Sequence, residues 1–202
     1  MATILAPILG ILLGPYIGVT TVSIGGFIAW TVTQTGAFSF VSFIPGAATA
    51  FAAGLLTNNK RAMCVALYLL FLLPMAFFPT IGPVWLYPLY LWFHLVGLLL
   101  LVSPASAKAW KFIRDKPVEK LTVGILLVAL VSTLIGQAAG GLLFELFFYP
   151  VYSGIQFWRV EQWQLLAFVY PLERGIITVL AAVLGTPLIK AVQAFRFRIG
   201  DP

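Results

Sequence analysis

Ten of the twelve lysine and arginine residues lie in three short clusters, which are separated by long and almost uncharged apolar stretches. The clusters are Lys60 with Arg61, residues 108–120 and residues 190–198. Overall the chain is 61% hydrophobic and 9% charged, whereas a soluble domain carries roughly a quarter charged residues. Basic loops stay on the cytoplasmic side because moving them through lipid is costly. The pattern therefore predicts a multi-pass protein of the cell membrane with all three clusters at the cytoplasmic face.

The apolar stretches predict an all-α fold, formed by one transmembrane domain over residues 1–202. A spanning helix needs about 20 apolar residues, and the chain has room for six such helices. With Lys60 and Arg61 inside, an even number of spans places both termini in the cytoplasm. The first span is long enough to be tilted, or broken around Gly14 and Pro15. The six predicted spans are residues 3–32, 37–56, 61–78, 84–102, 121–148 and 171–194.

Two connecting segments between these spans carry aromatic residues. Residues 103–120 alternate Trp110 and Phe112 with basic side chains, which predicts an amphipathic cytoplasmic helix. That helix suits either anchoring on anionic lipid or docking of a cytoplasmic partner. On the outer side, residues 149–170 predict a short helix or lid at the interface, with Trp158 and Trp163 at headgroup depth.

The composition argues against most kinds of catalysis. A single cysteine, Cys64, excludes an internal disulfide and is best interpreted as a small buried apolar residue. With one histidine besides, the sequence predicts no metal site and no bound cofactor. It contains neither a phosphate-binding glycine loop nor a Gly-x-Ser-x-Gly elbow. The missing catalytic motifs lead us to expect a protein that is not an enzyme. Nucleic acid is not an expected partner either, because no basic face accompanies the positive charge.

Polar side chains inside the apolar stretches are few, and each is a candidate ligand contact. A rise of about 1.5 Å per residue places His94 and Gln137 near mid-membrane. Gln137, Gly141 and Glu145 share one helix face and could wall an outward-facing pocket. Packing, an aromatic belt or a favourable helix N-terminus would explain the same residues without a ligand. The predicted substrate-binding residues are Glu145, Glu173, Arg174, Gln137, His94 and Tyr90.

Small residues recur every four positions along the first span, at Ala6, Gly10, Gly14 and Gly18. Helices in lipid associate closely where small residues let their backbones approach. Similar ladders occur in residues 46–54 and at Gly136. The ladder of the first span therefore predicts either packing inside the bundle or an interface with another protein.

The chain resembles the substrate-binding S component of an energy-coupling-factor (ECF) vitamin transporter. The resemblance covers most of the chain and is carried by its length, its span pattern and four segments. The segments are PILG at 7–10 with LGPYIG at 13–18, IPGAATAFAAGLL at 44–56, NKR at 59–61 and YPLER at 170–174. It implies that Ala6, Gly10 and Gly14 meet a membrane coupling subunit driven by cytoplasmic ATPases. It also implies an outer pocket built by spans four to six.

The residues and the resemblance together predict a bilayer-embedded subunit that captures a small polar nutrient from outside. Two alternatives stay open at this point. One is a structural or assembly subunit of a larger membrane complex, without a ligand. The other is a small membrane enzyme that acts on lipid through His94 or Glu145.

Overall fold

The computed structural model describes residues 2–33, 36–114, 117–152 and 160–200. Within these ranges the chain is helical and contains no strand, so the predicted all-α fold is confirmed. A short 3₁₀ turn, Pro88–Leu91, connects the fifth and sixth α-helices. The α-helices are α1 (Ala2–Thr33), α2 (Gly36–Ser39), α3 (Ile44–Thr57), α4 (Arg61–Ala76), α5 (Pro83–Leu86), α6 (Trp92–Val102), α7 (Pro104–Arg114), α8 (Val118–Tyr152) and α9 (Val160–Gly200).

Three described helical segments are long and apolar enough to cross a membrane: Thr3–Thr33, Val118–Tyr149 and Val160–Ala194. A fourth span results if Pro88–Val102 and Pro104–Arg114, which are bent by 66°, are counted together. Helices α3 and α4 are apolar but only 14 and 16 residues long. The fold is that of a membrane-embedded helical protein, and length and composition support three or four spans rather than six continuous ones.

Two of the predicted spans are interrupted at prolines. The predicted span 37–56 consists of α2, a turn and then α3, with Pro45 in the first turn of α3. The predicted span 84–102 is divided into α5, the 3₁₀ turn and α6. Pro83 is the first residue of α5, and Pro88 is the first residue of the 3₁₀ turn. Proline has no backbone N–H, so it fits the first turn of a helix, where that donor would have no helical partner.

The predicted start of the last span at residue 171 is wrong, because α9 begins at Val160 and continues through Pro171. A proline at this position leaves the carbonyl of Ala167, four residues earlier, without its helical donor. The indole Nε1 of Trp92 donates to this carbonyl at 2.9 Å instead. A side chain from another helix therefore replaces the missing hydrogen bond and lets α9 stay continuous.

The separate interfacial lid predicted within residues 149–170 is also not found in the part of this segment that the structure describes. Helix α8 reaches Tyr152, and α9 already includes residues 160–170. Trp163 is buried in the bundle: it is 1% exposed and donates through Nε1 to the carbonyl of Ile81 at 3.0 Å. Trp158 lies outside the described residues.

Helix α1 folds back on itself at Gly14. This residue has φ 80° and ψ 179°, which interrupts the helix just before Pro15. A Cβ built on Gly18 would lie 3.1 Å from the Cα of Gly10, whereas eight residues of a straight helix span about 12 Å. Two half-helices, residues 2–13 and 15–33, therefore meet at a sharp bend. The predicted break is confirmed, and it is a reversal rather than a mild kink.

The two halves of α1 enclose α3. A Cβ on Gly10 would overlap the carbonyl oxygen of Ala50, and one on Gly54 would lie 2.6 Å from the carbonyl carbon of Gly14. On the other half, Tyr16 packs against Phe51 with ring centroids 6.0 Å apart. The small-residue ladder is thus used inside the bundle, where it allows backbone to touch backbone.

The basic clusters gather at one end of the bundle. Arg61 donates through Nη1 to the carbonyl of Ser103 at 3.0 Å, and Gln193 donates to the carbonyl of Ile113 at 2.9 Å. The first residues of the chain do not share this end, since Thr3 lines a cavity beside Gln137. The prediction that both termini lie on the cytoplasmic side is therefore not confirmed for the N-terminal half-helix, which the reversal at Gly14 carries back into the bundle.

Helix α7 matches the predicted amphipathic segment. Ala109 and Ile113 are buried against the bundle, while Lys108 and Lys111 are exposed. Trp110 lies between the two faces, with Lys111 Nζ 5.5 Å from its ring centroid. The bend after Val102 turns this helix away from the direction of α6, so its charged face is presented to solvent.

Candidate functional site

A cavity of about 540 Å³ lies where the N-terminal half of α1 meets α2, α3, α8 and α9. This volume falls within the range of small-molecule sites. Its walls are mostly apolar and aromatic, with a few polar side chains. It is lined by Thr3, Phe38, Val41, Ser42, Pro45, Thr49, Tyr90, Gly136, Gln137, Gly140, Gly141, Leu143, Phe144, Gln162, Trp163, Leu165, Leu166, Tyr170 and Arg174.

Glycines on α8 let this helix pack closely against its neighbours beside the cavity. A Cβ on Gly136 would lie 2.6 Å from the carbonyl oxygen of Pro45, so only glycine lets α8 approach the start of α3 so closely. The predicted Gly136 ladder therefore packs α8 on α3. Gly140 and Gly141, one turn further along, lie beside the open volume.

Three of the six predicted substrate-binding residues meet in this cavity: Tyr90, Gln137 and Arg174. Gln137 donates through Nε2 to the hydroxyl oxygen of Tyr90 over 3.5 Å, and its Oε1 makes no hydrogen bond to any described residue. Gln137 is 8% exposed and Tyr90 4% exposed. The sequence predicted the amide of Gln137 at the floor of a pocket, and the side chain lines this cavity.

His94 lies next to the cavity rather than in its wall. It borders a small hollow that Tyr90 and Gln137 also line. The hydroxyl of Tyr68 is 3.1 Å from His94 Nδ1 and also donates to the His94 carbonyl at 3.2 Å. These two contacts fix the histidine ring, while Nε2 has no hydrogen-bond partner among the described residues. His94 therefore forms a second polar layer behind Tyr90 and Gln137.

Glu145 is completely buried and does not line the cavity. Its neighbours one turn before and after on α8 face the end of α4. Gly141 lies against Met75, and the rings of Tyr149 and Phe78 are 5.3 Å apart. Helix periodicity turns Glu145 toward the same side. Neither of its carboxyl oxygens has a partner in the described part of the chain.

Glu173 and Arg174 form an ion pair at the cavity edge, with Nη2 of Arg174 3.1 Å from Oε1 of Glu173. The two side chains lie in different surroundings, since Arg174 is 11% exposed and Glu173 45% exposed. Only Arg174 lines the cavity. Its Nε is buried and donates to no described residue.

Of the predicted substrate-binding residues, Tyr90 alone belongs to the aromatic wall of the cavity. Trp163 packs edge-on against Tyr90 with ring centroids 4.5 Å apart, and Tyr170 lies 6.3 Å from Tyr90. Opposite them, Phe38 packs against Phe144 at 5.6 Å. The one available signal was that Trp163 and Tyr170 are seven residues apart, about two helical turns, and hence on one face.

The residues predicted to meet a coupling subunit occupy a different part of the fold. Ala6 and Gly10 are buried within the chain, and Gly14 is half-buried at the bend of α1. Bundle packing, the alternative interpretation of the ladder, accounts for Ala6 and Gly10. No contact described here addresses a coupling subunit, and that partner stays a prediction.

The cavity combines a large apolar surface with a few unsatisfied polar atoms, which is the arrangement of a site that binds and orients a small molecule. Within the described residues there is no group of three or more His, Cys, Asp or Glu side chains that could hold a metal ion. The chain matches no protein-family model, no curated protein and no solved structure.

Proposed function

We propose that this protein is a membrane-embedded subunit that binds a small solute in the cavity between α1, α3, α8 and α9 and serves its uptake into the cell. One observation carries the proposal. Gln137 Oε1 and Arg174 Nε are buried without a partner among the described residues, and both side chains line the same cavity. Leaving such groups unpaired costs about 1–3 kcal/mol each, and more for charged ones. A bound solute would recover this free energy.

The position of the cavity supports uptake from the outer side. The basic clusters, which the positive-inside rule assigns to the cytoplasm, lie at the opposite end of α8 and α9 from the residues that line it. In this orientation the cavity faces the extracellular half of the bundle. A solute captured there would still have to cross the remaining depth of the membrane.

Uptake would then need a second component to move the solute, in keeping with the resemblance to an ECF-type S component. We propose a membrane coupling subunit with cytoplasmic ATPases as that component. Because α3 covers Ala6 and Gly10, the contact would use the outward surface around the bend. Leu13, Tyr16 and Ile17 are 40%, 65% and 60% exposed there.

Mass spectrometry of small molecules released from the purified protein tests the binding function. The matched pair of variants is Leu143→Trp, which would fill the cavity, and Leu146→Trp, which places the same ring on a residue of α8 that is 54% exposed. We expect a released molecule in near-equal amounts with the wild type and Leu146→Trp, and its loss with Leu143→Trp.

A thermal-stability screen with micronutrients provides the complementary measurement. A ligand at 100 times its dissociation constant stabilises the folded state by about 2.7 kcal/mol, and Leu143→Trp should abolish that stabilisation. If no compound is released, none stabilises the wild type, and Leu143→Trp behaves like Leu146→Trp, the cavity is not a binding site. A structural subunit of a larger complex would then be the better description.

A further inference from the structure

We infer that the cavity selects an uncharged solute that carries both a hydrogen-bond donor and an acceptor, as in an amide, lactam or imide, on an apolar body. The inference rests on the proposed binding function and specifies the ligand of that site. It follows from the charge balance of the cavity, from its two unpaired polar atoms and from its walls.

The cavity is electrically balanced before any ligand enters. Among the described lining residues Arg174 alone is charged, and Glu173 already pairs with it at 3.1 Å. Glu145 does not contribute, since it is buried outside the lining. An anionic ligand would leave a net negative charge, because Glu173 already balances Arg174, and a cationic one would face the guanidinium group. A neutral ligand meets neither difficulty. This matters because an unbalanced charge in a low-dielectric site raises the free energy of the complex.

The two unpaired atoms are of opposite kinds. Arg174 Nε offers a hydrogen-bond donor, whereas Gln137 Oε1 offers an acceptor. In this structure Gln137 directs its Nε2 to the hydroxyl of Tyr90, which leaves Oε1 as the unpaired atom of the amide. The complementary ligand edge must accept one hydrogen bond and donate another. An amide edge does both without carrying a charge, whereas a carboxylate can only accept.

The rest of the wall suits a flat apolar body. Tyr90, Trp163 and Tyr170 form one aromatic cluster, and Phe38 with Phe144 forms another. Aromatic side chains provide large apolar contact surfaces with preferred edge and face orientations. A ligand with a planar body would contact these rings while its polar edge meets Gln137 and Arg174.

Three probes that share one apolar body test the inference: biphenyl-4-carboxamide, biphenyl-4-carboxylate and N,N-dimethyl-biphenyl-4-carboxamide. Their dissociation constants are measured by thermal shift and calorimetry on the purified full-length protein. We expect the primary amide to bind about tenfold more tightly than the carboxylate, since the carboxylate brings an unbalanced charge and leaves the Gln137 acceptor unpaired. The dimethyl amide, which cannot donate to Gln137, should also bind more weakly than the primary amide.

Glu173→Gln is the decisive variant, because it removes the counter-charge while Arg174 stays in place. Glu173 is about half exposed, so the fold should tolerate the change. The preference for amide over carboxylate should fall by about tenfold or reverse. Glu119→Gln, an exposed carboxylate at the basic end, is the matched control and should keep the wild-type preference.

The outcomes separate the two proposals. A wild-type protein that prefers the carboxylate, or a Glu173→Gln variant with an unchanged preference, overturns the neutral-ligand inference and leaves the binding function standing. If no probe binds and Leu143→Trp also changes nothing in the micronutrient screen, the cavity is not a ligand site. Both proposals then fail.

Discussion

At the residue scale, Gly14 decides the course of the chain. Its φ of 80° and ψ of 179° belong to a backbone region that glycine alone occupies readily. The space around it is not tight, since the nearest side-chain atom to an added Cβ would be Asn58 Nδ2 at 3.7 Å. Glycine is therefore needed here for its backbone conformation and not for close packing. This distinguishes Gly14 from Gly10, where a Cβ would overlap α3.

Gly14→Ala should lower the free energy of unfolding by about 1–3 kcal/mol, because alanine pays the full strain of this conformation. Gly25→Ala in the same helix is the control. Gly25 has ordinary helical dihedrals and nothing within 4 Å of an added Cβ, so the change should be neutral or mildly stabilising. Thermal unfolding in detergent measures both variants. Equal behaviour would show that the reversal is not a feature of the folded protein.

At the scale of helices, side chains from other helices complete hydrogen bonds that prolines and bends leave open. Trp92 reaches the carbonyl of Ala167 before Pro171, and Gln193 reaches the carbonyl of Ile113 before Pro117. At membrane depth, where water cannot serve as a substitute, such donors decide whether a helix can continue through a proline.

Trp92→Phe should destabilise the protein by about 1–3 kcal/mol, because the buried carbonyl of Ala167 loses its donor. In a Pro171→Ala background, Trp92→Phe should lower the free energy of unfolding by less, because the backbone N–H of the new alanine can donate to the carbonyl of Ala167. A double-mutant cycle of unfolding free energies measures the difference. Trp85→Phe, at a site 59% exposed, is the control and should have little effect. Strict additivity of the two substitutions would contradict the assigned hydrogen bond.

Particular residues show how far the sequence could predict this fold and its site. Gln137 and Arg174 were identifiable because a polar group inside an apolar stretch requires a partner. Pro171 was misjudged because the donor that rescues α9 comes from Trp92, 79 residues earlier in the chain. The burial of Trp163 was not predicted, because a tryptophan fits an interface and a buried wall equally well. The local sequence pattern predicts whether a segment is helical, whereas contacts with residues distant in the sequence decide whether that helix is continuous.

At the scale of the whole molecule, the clustering of positive charge at one end predicts how the bundle lies in the membrane. Lys111 on α7 is exposed at the basic end, and Thr80 is exposed in the turn between α4 and α5 at the other end. The native Cys64 is fully buried and should not react with polar reagents.

Single cysteines at these two positions test the orientation in sealed, right-side-out vesicles. Thr80→Cys should react with a membrane-impermeant maleimide at once, whereas Lys111→Cys should react only after the vesicles are opened. The positive-inside rule is the physical reason for this expectation. Reaction of Lys111→Cys in sealed vesicles would show that the protein has the opposite orientation, with the cavity facing the cytoplasm.

The reversal of α1 also has a consequence for the order in which the protein is assembled during synthesis. Residues 2–13 leave the ribosome before their packing partners, since Ile8 packs against Ala129 and Ala181, which are made much later. A half-helix of about twelve residues is too short to cross the bilayer alone. This segment must therefore wait for α9 before it can reach its final place.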